Sequence, residues 1–316
     1  MDFKYSDIKF NMDIDKYKLI EYNNMIEIIK ILEKCFSEIS LLLKNNNSFK
    51  IGSIIDGKNN KSNDSVKKMD MYANDILKNA LIHCPLIKAI ASEEEDTIIY
   101  TQYPNGKYLI SFDPIDGSSN IDMNITTGTI FAIYEYIDND IKNGNNIILS
   151  GYCLYGAATQ LLLAMNNLVN IYQLDSKNKE FKIVKGNIKC PEKGSIYSIN
   201  EAYKNIWVDK KYNKILENLL KKKYNSRWVG SLVADGHRTL LRGGFFAYPA
   251  NNRNKTGKIR LLYEAYPFAH IFVNAGGIAS NGKKSILDID FPMNNIHKKT
   301  PIILSSKAEY NIFSNY

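Results

Sequence analysis

The chain is short of most features that would commit it to a class at first sight. Four cysteines are spread singly over 316 residues, at Cys35, Cys84, Cys153 and Cys190, in apolar or turn contexts. Neither a disulfide framework nor a zinc spacing emerges, so reduced packing residues are expected. No apolar run approaches the roughly 18 residues that a membrane span requires. The start, Met1-Asp2-Phe3-Lys4, has no basic segment leading into an apolar one, and no signal peptide is read there. A cytoplasmic location is the resulting expectation. No internal repeat and no nucleic-acid-binding motif is evident.

What is present is ordinary for a globular chain: 45% hydrophobic and 23% charged residues, at a length that suits one large domain or two of usual size. The net charge of +8 and pI near 9.0 would suit nucleic acid or a small anionic substrate. Much of the excess, however, is Lys mixed with Asn at 44–47, 58–61, 221–223 and 251–255. That is a solvated-loop bias rather than a groove-matching patch. Nucleic acid is therefore not expected as a partner.

Tyr22, Ile26, Ile29, Leu32, Phe36, Ile39 and Leu43 recur at helical spacing, which predicts one or two amphipathic helices over 16–44. An Asn/Lys/Gly-rich segment, 45–64, follows, of a length usually functional or disordered. Val66, Met69, Ala73, Ile76, Leu77, Ala80 and Leu81 mark the next helix. Strands are read at 86–91 and 107–112. A meander then runs through 129–136, 147–155, 158–165, 168–174 and 181–185, broken by turn residues. Beyond a boundary placed near 195, strands and helices alternate: 196–199, a helix near 209–222, a helix from 231, 245–248, a helix from 264, and strands at 278–280, 286–289 and 301–304.

The most informative stretch is Asp113-Pro114-Ile115-Asp116-Gly117-Ser118-Ser119-Asn120, at the end of the apolar run 108–112. Two carboxylates three residues apart can hold a hard cation. The Gly-Ser-Ser that follows offers free backbone N–H groups at a short helix start, where a phosphate can sit. Asp-Pro and Asp-Gly are also common turn dipeptides, and Ser-Ser-Asn a common cap, so the stretch does not decide the matter alone. Further acids stand elsewhere. Glu93-Glu94-Glu95-Asp96 closes the strand 86–91, where a solvated charge run is the simpler explanation. At the C-terminal end of a strand beside Asp113, these acids would converge with it. Asp70 borders the apolar stripe of the second helix, Asp64 precedes that helix as an N-cap would, and Glu264 follows the strand-like run 259–263.

Taken together, the segments resemble the class I fructose-1,6-bisphosphatase family. They are Lys67-Lys68-Met69-Asp70, Ser92-Glu93-Glu94, Asp113 to Asp122, Tyr197 to Glu201, Val229 to Leu241, Tyr248 to Asn251 and Gly257 to Glu264, in the family's order and spanning about 64 to 305. The resemblance implies an α/β (α+β) sugar-phosphatase fold with αβαβα layers. The metal site would lie between an N-terminal domain (1–195), carrying the acids and a degenerate allosteric region, and a C-terminal sugar-phosphate-binding domain (196–316). It implies Mg²⁺-dependent hydrolysis of the 1-phosphate of fructose 1,6-bisphosphate in gluconeogenesis, with Mn²⁺ or Zn²⁺ as substitutes.

Carried over by position, Glu93, Asp113, Asp116, Glu264 and the Ile115 carbonyl would be metal ligands. Asp70 and Glu94 would manage the proton of the attacking water, and Asp64 would reach in from the preceding loop. Two or more cations would screen the ester's charge and hold its oxygens. Gly117, Ser118 and Ser119 would cradle the departing phosphate, and Gly230, Ser231 and Leu232 would meet sugar hydroxyls. Asn200, Tyr203, Tyr248 and Lys258 would hold the distal phosphate. Arg227 would arrive from a neighbouring subunit, implying a homotetramer. His237 is read as structural.

The chain departs from the family in three places. Trp228 stands where tyrosine is usual, and its indole N–H can donate but not accept. The N-terminal segment lacks the Thr-Gly-Glu nucleotide turn. Glu135 replaces a base beside Lys107 and Tyr108, so AMP inhibition is expected to be weak or absent. A sedoheptulose-1,7-bisphosphatase is the nearest alternative, but Gly230 to Asp235 looks more like the fructose enzyme. An inositol-phosphatase-like enzyme would lack the distal-phosphate residues. A regulatory or nucleic-acid-binding protein on this scaffold predicts loss of a metal acid, and none is missing.

Overall fold

Apolar residues recurring every three or four positions wind the first described segment into α1 (Lys16–Asn45), a single helix. Its buried stripe is Met25, Ile28, Ile29, Leu32, Phe36 and Ile39, so Tyr22 and Ile26 sit at the stripe's margin. The second helix, α2 (Lys68–Leu81), buries Met69, Ala73, Leu77 and Leu81 against the same cluster. The computed structural model describes residues 16–45, 54–59 and 65–316. Between the two helices, β1 (Ile54–Asn59) and β2 (Ser65–Lys67) pair as a small antiparallel hairpin. Asp64 lies outside the described residues, as does most of 45–64.

Helices α1 and α2 cover one face of an eight-stranded sheet. It is built from β3 (Ile87–Ser92), β4 (Ile99–Tyr100), β5 (Tyr108–Asp116), β6 (Thr127–Glu135), β7 (Ile147–Tyr155), β8 (Thr159–Met165), β9 (Leu168–Asp175) and β10 (Glu180–Lys185). The order is β10-β9-β8-β7-β6-β5-β3-β4, and only β3 and β5 run parallel. Strands β6 to β10 pair in succession, as the meander pattern predicts. Strand β5 is buried along its whole length, as a central strand with both faces covered should be.

The other face of this sheet packs on α4 (Leu232–Arg242) and α5 (Tyr266–Asn274). These helices form a middle layer, and its core draws on residues from both halves of the chain, from Ala89 to Leu304. Beyond them lies a five-stranded sheet of order β12-β11-β13-β17-β15, made of β11 (Ile196–Ser198), β12 (Asn225–Ser226), β13 (Phe245–Tyr248), β15 (Ile278–Ser280) and β17 (Ile302–Ser305). Its outer face is covered by α3 (Lys211–Lys221) and α6 (Lys307–Ser314) through Tyr212, Ile215, Leu219 and Phe313. The layers are therefore αβαβα. The four cysteines are all free and buried. Among the described residues no helix is long and apolar enough to cross a membrane.

Two expected strands are something else. Residues 286–289 form a short 3-10 turn, Ile286–Asp288, with Ile286 and Leu287 both buried. A short apolar run has no periodicity to tell a turn from a strand. The run 259–263 pairs only at β14 (Ile259–Arg260), with β16 (Lys299–Thr300), before entering a π-helical turn, Leu261–Ala265.

The approach of α4 to the end of β5 depends on a glycine. Gly117 has φ +77°, and a Cβ there would lie 2.8 Å from both Cβ and Oγ of Ser231. Ser231 is itself hydrogen-bonded to Asp116 and has little freedom to yield. Gly117→Ala is expected to cost about 1–3 kcal/mol in urea unfolding, because strain and clash coincide.

Candidate active site

Asp113 and Asp116 leave the sheet from one irregular stretch of β5. Asp113 faces Ile130 and Asp116 faces Gly128, so three steps on β5 oppose two on β6. Such a bulge re-aims side chains. Here Thr129 Oγ1 donates to the Pro114 carbonyl at 2.7 Å and holds it. Glu264 arrives from the other side in the π-helical turn, a local widening often found at functional positions. The Leu262 carbonyl in that turn accepts from Ser111 Oγ at 3.1 Å and Tyr134 Oη at 2.5 Å, which ties the turn to the sheet.

The result is three buried acids, Asp113, Asp116 and Glu264, whose carboxylate oxygens lie within 4.8 Å of one another. Asp116 Oδ2 accepts from Ser231 Oγ at 2.6 Å and from the Val233 N–H at 2.7 Å. Glu264 Oε2 accepts from the Arg260 N–H at 2.5 Å. Burial pushes Asp116 up to about 6, its hydrogen bonds opposing. Burial, then repulsion from Glu93, pushes Glu264 up to about 8. Asp113 is raised well above the usual carboxylate range by burial and then by Glu93, Asp116, Glu264 and Asp70. A set of clustered oxygen donors with no nitrogen or sulfur suits a hard divalent cation. The cluster fits a metal ion.

The parallel pairing of β3 with β5 brings the acidic run beside these three. Glu93 N–H donates to the Phe112 carbonyl at 3.1 Å. Glu93 Oε1 lies 3.1 Å from Arg260 Nη2, both side chains being largely buried. Glu95 is not solvated as a charge run would be. Its Oε1 accepts from Asn74 Nδ2 at 2.9 Å and Lys78 Nζ at 2.6 Å, while Ser92 Oγ donates to Asn74 Oδ1 at 2.7 Å. Asn74 and Lys78 follow Asp70 at one-turn intervals, so this clamp fixes the helix face bearing Asp70 against the loop bearing Glu94. His297 adds a second tie, with Nε2 3.0 Å from the Glu95 carbonyl and Nδ1 2.7 Å from Tyr263 Oη.

These groups line a cavity of about 580 Å³. Of the residues expected at the site, Asp70, Glu93, Glu94, Asp113, Ile115, Asp116 and Glu264 all line it. So do Gly117, Ser118 and Ser119 on one wall, and Trp228, Gly230, Ser231, Leu232, Tyr248 and Lys258 on the other. Asn200, Tyr203 and Arg227 are not among its lining residues. Asn200 Oδ1 accepts from the Ala202 N–H at 3.2 Å, capping its own turn. The Tyr203 ring lies 5.8 Å from the Arg253 guanidinium. Arg227 is exposed, with Nη1 2.7 Å from the Ser226 carbonyl. His237, read as structural, hydrogen-bonds Tyr152 Oη at 2.7 Å away from the cavity.

The family models for the N-terminal and C-terminal domains of fructose-1-6-bisphosphatase match residues 9–186 and 190–316. The chain belongs to the fructose-1,6-bisphosphatase family. It is 44% identical over 258 residues to the class 1 fructose-1,6-bisphosphatase of Sulfurihydrogenibium sp., covering 80% of this chain and 79% of that one. It is 43% identical over 279 residues to fructose-1,6-bisphosphatase 1 of Bos taurus, covering 82% and 80%. The crystal structure of Leishmania major fructose-1,6-bisphosphatase in holo form superposes with a TM-score of 0.88 at 31% identity, over 96% of this chain and 98% of that one.

The cavity of this fructose-1,6-bisphosphatase family member is also lined by residues to which the motifs assign no role. Arg260 stands inside the apolar run Ile259 to Tyr263, and a charge in such a run must find a buried partner. Asp235 and Phe246 line the cavity from positions that read as helix face and strand core. Because the clustered acids bind protons more tightly folded than unfolded, the metal-free protein should lose stability as pH rises from the ordinary carboxylate range through about 8. A bound cation should reverse this. Scanning fluorimetry is expected to show a larger Mg²⁺-induced rise in Tm at pH 8 than at pH 6, and Asp113→Asn is expected to raise the metal-free Tm by about 2 °C.

Proposed function

We propose that this chain, a phosphoric monoester hydrolase by family, hydrolyses the 1-phosphate of fructose 1,6-bisphosphate, yielding fructose 6-phosphate and phosphate for gluconeogenesis. The observation that carries this reading is the buried cluster Asp113, Asp116 and Glu264 facing a wall of hydrogen-bond donors and aromatic rings. The cluster would hold Mg²⁺, which when bound neutralises phosphoryl charge and makes water a better acid. Glu93, braced by Arg260, adds a fourth carboxylate at the edge of that set.

The chain's own residues do the rest. Backbone N–H groups of Gly117, Ser118 and Ser119 orient the 1-phosphate for displacement. Asp70, with Glu94 beside it, accepts the proton of the attacking water, and the pair is held in place by the clamp of Asn74, Ser92 and Glu95. The fructose ring rests between Gly230 to Leu232 and the tilted rings of Trp228 and Tyr248, whose centroids are 5.9 Å apart. Lys258 and Tyr248 take the distal phosphate. The Tyr248 phenol already holds its proton at neutral pH and burial pushes it further up, so it is a donor there.

A homotetramer is part of this reading: Arg227, exposed and outside the cavity of its own chain, would reach the distal phosphate of a neighbouring subunit. A cytoplasmic location is also part of it. Weak AMP inhibition follows from Glu135, which is exposed at the end of β6 directly opposite Tyr108 in the β5–β6 register. A carboxylate at that place repels a nucleotide phosphate.

Phosphate release from fructose 1,6-bisphosphate tests the reaction. Turnover should require Mg²⁺, fall on the order of a thousandfold in Asp113→Asn, and fall about a hundredfold or more in Asp70→Asn with KM little changed. Wild-type protein inactive on this substrate with Mg²⁺ present sinks the reading. Millimolar AMP is expected to leave most activity intact, and sedimentation of the active sample is expected to give four times the chain mass. Complete inhibition by micromolar AMP, or an active monomer, overturns the corresponding part.

A further inference from the structure

Asp235 is a fully buried carboxylate on the first turn of α4, inside the segment Val229 to Leu241 but with no role assigned to it there. Its oxygens are turned back toward the chain preceding the helix. Oδ1 and Oδ2 each lie 3.0 Å from the Val229 nitrogen, and Oδ2 accepts the Gly230 N–H at 2.8 Å. Arg238 Nη1, one turn later, donates to Oδ1 at 3.2 Å. A charged acceptor is thus committed to two main-chain donors, a stronger arrangement than neutral partners would give.

Those two N–H groups belong to the segment that forms one wall of the cavity. Gly230, at φ +89°, turns the chain sharply into α4. Trp228 lies just before them, its ring nearly parallel to Phe246 at 6.4 Å and tilted against Tyr248. Ser231 lies just after them and donates to Asp116 of the acid cluster. The start of α4 therefore grips Asp116 with Ser231 and Val233, and the wall with Asp235.

We propose that Asp235 is a positioning residue for substrate binding: its carboxylate holds the Val229 and Gly230 amides so that the Trp228 wall stands at a fixed distance from the acid cluster. The proposal rests on the cavity being the sugar-bisphosphate site. Asp235 touches no reacting atom, so its loss should act on ground-state binding rather than on the chemical step. An asparagine keeps one acceptor oxygen but turns an NH₂ toward amides that are themselves donors.

The test uses Asp235→Asn in the full chain, with and without Trp207→Phe, which leaves Trp228 as the only tryptophan. KM for fructose 1,6-bisphosphate is expected to rise about tenfold or more while kcat stays within about threefold and the pH profile of kcat is unchanged. Trp228 emission is expected to shift to the red and to be quenched more readily by acrylamide. If Asp235→Asn does not fold, Asp235→Glu, which keeps the charge one methylene further out, is read the same way. An unchanged KM, a loss confined to kcat, or an unaltered Trp228 signal overturns the proposal. So does failure of both variants to fold, which would make Asp235 a fold residue only. Wild-type protein that does not hydrolyse the bisphosphate overturns the underlying reading instead, a distinct outcome.

Discussion

Three carboxylates crowded together out of water repel one another, and each resists its own charge. That single unfavourable arrangement explains much of what surrounds it. Left to themselves the acids would keep their protons or swing apart, so the fold restrains each by a different device. A bulge anchored by Thr129 aims Asp113 and Asp116, the start of α4 grips Asp116, and a π-helical turn pinned by Ser111 and Tyr134 presents Glu264. The restraint is stiff because β5 is buried throughout and cannot relax toward solvent.

The middle layer is where this restraint is organised. Helices α4 and α5 lie between the two sheets, and each begins at the cavity. One delivers donors to an acid and the other continues from the turn that carries one. A substrate lying between them would touch residues from both sheets and the helices between. The parallel pairing of β3 and β5 adds the final acids, since only parallel neighbours bring two C-terminal strand ends to the same edge.

Much of this was legible in order along the chain. Helical periodicity predicted α1, and alternating turns predicted the meander. The eight residues from Asp113 offered carboxylates beside small N–H-rich residues at a strand end, a pairing a turn and cap could also explain, and the acids elsewhere in the chain tipped the balance. What stayed hidden depends on partners distant in sequence. Glu95 reads as a surface acid until Asn74 and Lys78 are folded onto it. Arg260 is one letter in an apolar run until Glu93 faces it. Asp235 reads as an ordinary helix acid, because nothing local shows that its oxygens turn back to Val229 and Gly230. The mistaken strand at 286–289 has a local origin, since Ile286-Leu287-Asp288-Ile289 is too short to show a period.

The bridge made by His297 has a consequence of its own. A carbonyl oxygen can only accept, so the imidazole nitrogen facing Glu95 must carry the hydrogen, and the other nitrogen offers its lone pair to the Tyr263 phenol. The ring is thereby locked in one tautomer, and burial holds its affinity for a second proton below that of a free imidazole. This staple therefore takes up a second proton at lower pH than a solvent-facing imidazole does, and over that interval the two segments it joins keep their spacing.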